Sequence, residues 1–141
     1  MKGYRMRILA IDYGMSRTGI AVSDPTGLIA SPYAVIPSRN YEKLLTSVGD
    51  VLSAVSPEKV ILGLPSRTDG IESEMCQRVK RFREELKSRF GVDAELIDEK
   101  YTTVIASQML HANGTKAKEQ RKSIDAAAAA VLLQGYLDAH R

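Results

Sequence analysis

Residues 7–27, RILAIDYGMSRTGIAVSDPTG, decide the fold of this chain. The apolar run 7–12 ends in Asp12 and is followed by Gly14, which predicts a buried strand entering a tight turn. Residues 18–23 form the next predicted strand, which ends at the Asp-Pro-Thr-Gly turn 24–27. Residues 28–36 can supply a third strand, so short strands joined by tight turns predict an antiparallel meander.

The pattern then changes to helices that alternate with strands. Helical spacing of apolar residues predicts a first helix at 41–55, and a second at 71–90 with Gly91 just past its end. The remaining predicted elements are strands at 60–65 and 94–97, a polar loop at 66–70, a helix at 102–112, a basic loop at 112–121 and a final helix from Ser123. The order β-β-β-α-β-α-β-α-α predicts an α/β fold with a mixed five-stranded sheet and helices on both faces.

Composition narrows the classes of protein and of site. The 141 residues fit one domain, 1–141. The single cysteine, Cys76, excludes an internal disulfide and a multi-cysteine metal site, and two histidines leave little for a histidine-based centre. The net charge of +3 names no partner by itself. Because the apolar runs are too short for a membrane span or a signal peptide, we expect a cytoplasmic protein without a membrane partner.

Three acidic residues lie where the elements could bring them together: Asp12 after the first strand, Glu99 after the last, and Asp125 at the start of the last helix. Parallel strands end at one edge of a sheet, where ligands usually bind. Converging carboxylates would suit Mg²⁺ or Mn²⁺, and two such ions could clamp a phosphodiester. Each residue also has a structural interpretation: Asp12 as a turn residue, Glu99 or Asp98 as a helix cap, and Asp125 as a complement to the helix dipole.

Basic residues cluster in two segments. The loop before Asp125 carries Lys116, Lys118, Arg121 and Lys122, which suit a phosphate backbone. The long helix carries a second set, for which a solvated face is the alternative: Arg78, Lys80, Arg81, Arg83, Lys87 and Arg89.

Four motifs in order resemble the YqgF/RuvX family over about residues 6–137. They are Asp12-Tyr13-Gly14 with 17–24, Gly63-Leu64-Pro65 with Asp69-Gly70, residues 98–106, and residues 123–129. The family is described as nucleases of RNase H-like fold that process the 5′ end of precursor 16S ribosomal RNA and are related to Holliday-junction resolvases.

The resemblance implies a metal site at Asp12, Glu99 and Asp125, and a backbone contact at Arg17. Lys100 stands where the family usually has arginine. Lysine keeps the positive charge but lacks the bidentate fork of the guanidinium group.

The leading hypothesis is an endonuclease that hydrolyses precursor rRNA or branched DNA with two metal ions. The alternatives are a Holliday-junction resolvase or a protein of the same fold that binds RNA or DNA without cleaving it. A phosphotransferase related to the actin-like kinases is disfavoured, because those enzymes need two such domains. Either a monomer or a homodimer fits, since junction cutters act as symmetric dimers.

Overall fold

The computed structural model describes residues 7–64, 70–98 and 117–140, with backbone alone for 70–73 and 117–126. The predicted helix at 102–112, the segment 65–69 and residues 99–116 lie outside the described residues. The helices and strands are β1 (Ile8–Asp12), β2 (Arg17–Ser23), β3 (Ala30–Pro37), α1 (Tyr41–Val55), β4 (Lys59–Leu64), α2 (Gly70–Phe90), β5 (Glu95–Asp98) and α3 (Ala117–Ala139).

The described strands form one mixed sheet in the order β3-β2-β1-β4-β5. β1 pairs antiparallel with β2, and β2 with β3, which confirms the predicted meander. β4 pairs parallel with β1 on one side and with β5 on the other. The sheet is therefore antiparallel in its first half and parallel in its second, as the element order predicts.

Apolar residues on alternate positions of β1 face two separate cores. Leu9 and Ile11 lie in the core that α1 and α2 cover, together with Phe82 and Leu86 of α2. Ile8 and Ala10 lie in a second core under α3, whose contributions include Ala129, Leu132, Leu133 and Tyr136. Because successive strand residues point to opposite faces, an apolar run such as ILAI needs cover on both. The prediction of helices on both faces is confirmed.

The turn between β2 and β3 uses part of the segment predicted as the third strand. The Asp24 carboxylate accepts hydrogen bonds from the backbone N–H groups of Leu28 and Ile29, at 2.9 and 3.0 Å, and from the Thr26 hydroxyl. These hydrogen bonds, that of Thr26 first, lower the pKa of Asp24 to about 2. Residues 28 and 29 therefore belong to the turn, and β3 begins at Ala30.

Asn40 and Gly91 mark the start of α1 and the end of α2, the two helices that cover one face of the sheet. The Asn40 side chain accepts a hydrogen bond from the Lys43 N–H at 3.1 Å and caps the start of α1. Gly91 follows α2 with a φ of +69°, a conformation that glycine adopts without steric cost. Where α1 meets the end of α2, a Cβ on Gly49 would lie 2.6 Å from the Phe90 ring, so a larger residue there would displace that ring.

The last helix begins earlier than predicted. The segment 112–121 was predicted as a loop and Ser123 as the helix start, but α3 begins at Ala117. That part of the prediction is wrong, because residues 117–122, AKEQRK, are good helix formers and polarity alone does not indicate a loop. Lys118, Arg121 and Lys122 therefore lie on the helix, and Asp125 is its ninth residue rather than its first.

Among the described helices, none is long and apolar enough to cross a membrane.

Candidate functional site at the carboxyl edge of the sheet

The three parallel strands end at one edge of the sheet. Ile11 of β1 is level with Leu62 of β4, so Asp12 is level with Gly63. Gly63 is in turn level with Ile97 of β5, the residue before Asp98. With a strand spacing of about 4.8 Å, the backbones of Asp12 and Ile97 are about 10 Å apart. The predicted meeting of the ends of β1, β4 and β5 is confirmed, and Asp12 lies on that edge.

Asp12 belongs to the face of the sheet that α3 covers. It continues the alternation of Ile8 and Ala10, which both lie in the core under α3. The residue is half-buried at the end of β1, whereas the four residues before it are buried. The strand thus brings a carboxylate out of the core at the rim of the sheet.

Both strands beside Asp12 carry glycine at its level. Asp12 pairs directly with Gly19 of β2, and the register places Gly63 of β4 on its other side. Directly opposed residues of paired strands share a face, so neighbouring side chains would normally flank the carboxylate. Glycine inside a strand weakens it and often marks a place where a ligand approaches closely. The sequence interpretation gave no role to these glycines, although glycine within an apolar strand was the available signal.

The direction of α3 follows from hydrogen bonds near its C-terminal end. The Gln134 side-chain oxygen accepts from the Ala30 N–H at 2.9 Å, and its amide nitrogen donates to the Leu28 carbonyl at 2.9 Å. The Tyr136 hydroxyl lies 3.4 Å from a Glu95 carboxylate oxygen. Ala30 lies at the edge of the sheet opposite Asp12, because it starts β3 there and pairs with Ser23. Glu95 is level with Ala10, in the middle of β1. The N-terminal part of α3 therefore runs toward the carboxyl edge.

Position 125 lies in the N-terminal part of α3. It precedes Tyr136 by 11 residues, which is about 16 Å along a helix. Its backbone is therefore displaced toward the carboxyl edge from the contacts that Gln134 and Tyr136 make.

The remaining predicted site residues divide into two groups. Glu99, Lys100 and Lys116 lie outside the described residues, and Lys118, Arg121, Lys122 and Asp125 are described by backbone position only. Among the residues whose side chains are described, no three histidine, cysteine, aspartate or glutamate residues come together as a metal site. The triad of Asp12, Glu99 and Asp125 therefore stays a prediction. An oxygen ligand at a glycine-flanked position is chemically suited to a hard divalent cation.

The turn that joins Asp12 to Arg17 is held by buried hydrogen bonds. The Gly14 N–H donates to the Thr18 hydroxyl at 3.4 Å, and the Thr18 and Ser38 hydroxyls are hydrogen bonded at 3.0 Å. The Ser38 N–H donates to the Ser16 carbonyl at 2.9 Å. A Cβ on Gly14 would lie 2.2 Å from the Arg17 carbonyl oxygen, so the turn requires glycine. Arg17 is half-buried at the start of β2, on the same turn as Asp12.

Some cations of α2 have structural partners, as the solvated-face interpretation allows. Arg83 donates to the Ala94 carbonyl at 2.9 Å and so holds the end of the α2–β5 connection. Arg89 forms ion pairs with Glu85 at 2.9 Å and with Glu42 of α1 at 3.0 Å. These hydrogen bonds, with Glu42 first, raise the pKa of Arg89. Arg83 and Arg89 are therefore structural, and they are separate from the arginines nearer the carboxyl edge.

The chain is similar to known proteins over nearly its whole length. The family model RuvX, described as Holliday junction resolvase, matches residues 6–139. A relative from Streptomyces coelicolor is 39% identical over 138 residues, which are 97% of this chain and 83% of the relative. One from Burkholderia ambifaria is 37% identical over 131 residues, which are 93% of this chain and 88% of the relative. Both carry a provisional name, pre-16S rRNA nuclease.

Two solved structures share the fold. The Thermus thermophilus RuvC protein, in complex with a Holliday junction substrate, matches with a TM-score of 0.59 at 18% identity, over 95% of this chain and 94% of that one. The fowlpox virus Holliday junction resolvase matches with a TM-score of 0.58 at 16% identity, over 96% of this chain and all of that one. The mixed sheet with helices on both faces is thus the RNase H-like fold of these resolvases, which confirms the predicted fold class.

Proposed function

Because this chain belongs to the RuvX family, we propose that it is a nuclease that hydrolyses phosphodiester bonds in precursor 16S ribosomal RNA, with divalent metal ions as cofactors. One observation of this structure carries the proposal. Asp12 ends a central strand at the carboxyl edge of the sheet, with glycine on both flanking strands and the N-terminal part of α3 running toward it. Neither neighbouring strand places a side chain beside the carboxylate, which suits the close approach of an ion and a phosphate group.

Three carboxylates would hold the ions. Asp12, at the end of β1, would be shared between two ions, while Glu99 and Asp125 would each hold one. The position of β5 supports Glu99, since β5 ends at Asp98 on the same edge of the sheet. The direction of α3, whose N-terminal part runs toward the same edge, supports Asp125. Bound divalent ions supply charge neutralisation at the scissile phosphate and activation of the attacking water.

Basic residues near the three carboxylates would bind and orient the substrate. Arg17 lies five residues beyond Asp12, on the turn that buried hydrogen bonds hold, and would contact the phosphate backbone near the cut. Lys100, Lys116, Lys118, Arg121 and Lys122 would add further phosphate contacts from the segment before α3 and from its first turns. Such contacts position a nucleic acid without reading its sequence, so structure in the RNA must select the cleavage point.

The test compares Asp12→Asn with a matched variant, Asp50→Asn, which removes an exposed carboxylate on α1. Each purified protein is incubated with an RNA that spans the 5′ end of 16S rRNA, in Mg²⁺, Mn²⁺ or EDTA. We expect wild type and D50N to cleave only with metal, and D12N to be slower by about 10³-fold or more, because it weakens the hold on both ions. Unchanged thermal unfolding of D12N would show that the fold is intact.

Two results would contradict the proposal. If D12N cleaves within about threefold of wild type, Asp12 does not hold the ions, since their contribution is several kcal/mol. If the wild-type protein binds the RNA but cuts it under no metal condition, the chain is a binding protein of this fold. A parallel reaction with a four-way DNA junction tests the second substrate, which the description of the family favours. Preferential cutting of the junction would make the chain a resolvase, and its mass in solution would then show whether it is a dimer.

A further inference from the structure

A cleft rich in arginine lies on the opposite face of the sheet from Asp12. Its volume is about 650 Å³, and the described residues that line it are Tyr13, Met15, Ser16, Ser38, Arg39, Tyr41, Arg78 and Arg81. Three of them are arginines and none is acidic. Tyr13 follows Asp12 directly, and its ring lies in the core under α1 and α2. The cleft and the Asp12 carboxylate therefore lie on the two sides of one short turn.

From this placement we propose that the arginine cleft binds the sugar–phosphate backbone of the nucleic-acid strand that passes Asp12, one or more nucleotides away from the cut. The proposal rests on the proposed nuclease function and adds a second, separate contact surface. Planar guanidinium groups suit phosphate, because each can donate two parallel hydrogen bonds to its oxygens.

Three carboxylates near the cleft are already engaged, two with Arg89 and one with Arg78, and none of them pairs with Arg39 or Arg81. Glu42 and Glu85 both pair with Arg89, at 3.0 and 2.9 Å. Glu74 pairs with Arg78, although the contact is exposed and 3.4 Å long. Within the described part of the chain, no ion pair engages Arg39 or Arg81, and both side chains are exposed. The start of α1 at Tyr41 adds the positive end of a helix dipole at the same place.

The floor and wall of the cleft are well packed, whereas Arg39 and Arg81 are exposed. Phe82 is fully buried and stacks on Tyr13 with ring centroids 5.1 Å apart, and it meets Tyr41 edge-on at 6.5 Å. The wall is the turn that Thr18 and Ser38 hold by their buried hydrogen bond. Binding would therefore restrict the arginine side chains but not the packed floor and wall beneath them, which limits the loss of conformational entropy.

Two further residues suit a strand of nucleic acid. The Tyr41 hydroxyl is protonated at neutral pH, as in any tyrosine, and burial raises its pKa further. That buried hydroxyl has no hydrogen-bond partner among the described residues, so a side-chain movement that admitted an acceptor would relieve the cost of an unpaired donor. Met15 is 56% exposed beside the arginines and offers an apolar contact for a base.

The decisive experiment compares two double variants of equal charge. Arg39→Gln with Arg81→Gln removes two cations from the cleft. Lys43→Gln with Lys80→Gln removes two exposed cations from α1 and α2 that do not line it. Affinity for the same precursor RNA, in its intact form, is measured by fluorescence anisotropy in EDTA at several salt concentrations. Thermal unfolding of each variant checks that the exposed substitutions leave the fold unchanged.

We expect the cleft variant to bind about tenfold more weakly, and its slope of log affinity against log salt to fall by about 1.4, since each lost phosphate contact on a single strand is worth about 0.7. The lysine variant should keep the slope of wild type. Equal losses in both variants, or no loss in either, would overturn the cleft proposal, because binding would then follow net charge or use another surface.

Cleavage of the same RNA with Mg²⁺ separates this proposal from the nuclease function. If wild type cleaves and the cleft variant binds as tightly as wild type, only the cleft proposal fails. If wild type never cleaves but the cleft variant loses affinity and slope, the cleft stands as a binding site and the nuclease function fails.

Discussion

Replacement of Thr18 by valine tests whether the turn after Asp12 is held as the structure indicates. Thr18 is fully buried in β2, and its hydroxyl is hydrogen bonded to the buried Ser38 hydroxyl at 3.0 Å. The same oxygen accepts the Gly14 N–H at 3.4 Å, across the turn. Valine has nearly the same shape as threonine, so the substitution removes these hydrogen bonds with little change in packing.

The expected cost is about 2 kcal/mol of unfolding free energy. A hydrogen bond contributes about 1 kcal/mol net, and a buried polar group left without its partner costs about 1–3 kcal/mol. Here the Ser38 hydroxyl, 5% exposed, loses its described partner. The long Gly14 contact adds little. For a chain of this size, 2 kcal/mol lowers the melting temperature by about 6 °C.

A double-mutant cycle in urea measures the interaction itself. Ser38→Ala removes the other hydroxyl, so the combined variant leaves neither group unpaired and should lose about 1 kcal/mol less than the sum of the single variants. Thr46→Val is the matched control, because the Thr46 hydroxyl bonds the Glu42 carbonyl on the exposed side of α1. We expect a change within about 0.5 kcal/mol there. A coupling energy below about 0.3 kcal/mol between Thr18 and Ser38 would refute the reasoning.

Two further predictions concern the core under α3 and the β2–β3 turn. Leu133→Ala should lower the unfolding free energy in urea by about 3 kcal/mol, because Leu133 is fully buried; Ile29→Ala, at a residue 60% exposed, should change it by under about 1 kcal/mol. A cost for L133A no larger than that for I29A would show that α3 does not pack on the sheet as described. The Asp24 carboxyl should titrate by NMR near its pKa of about 2 rather than 3.8, so the stability that its ionised form contributes is complete above about pH 4 and is lost as the pH falls toward 2. Thr26→Val should move this pKa back toward 3.8, and a titration near 3.8 in wild type would contradict the turn geometry.

Local patterns were reliable where one physical signal dominated. The helical spacing of apolar residues and Gly91 predicted α2 to within one residue, and the periodicity of α1 predicted its bounds as observed. The predicted start of α3 was wrong, because polar residues with good helix propensity resemble a loop when no apolar face marks them. The predicted start of β3 was two residues too early, because the Asp24 carboxylate accepts hydrogen bonds from two backbone N–H groups that a strand would need for its ladder.

The candidate site was predictable only in part. Asp12 followed from an apolar strand that ends in a carboxylate and a glycine, and its place on the shared edge is confirmed by the register of β1 with β4. The roles of Glu99 and Asp125 stay predictions, as do those of the basic residues near them. The arginine cleft was missed because Arg39 lies 39 residues before Arg78 in sequence and no spacing rule joins them.

The sequence by itself determined the order of the described elements, the need for helices on both faces of the sheet and the carboxylate at the end of β1. These depend on neighbouring residues, whose periodicity, capping and turn preferences act over a few positions. Only the tertiary structure decided that β1 lies between β2 and β4, with Gly19 and Gly63 beside Asp12, and that Arg39, Arg78 and Arg81 share one cleft behind it. Those neighbours are set by strand pairing and by the packing of α1 and α2 on the sheet, which join residues far apart in the chain.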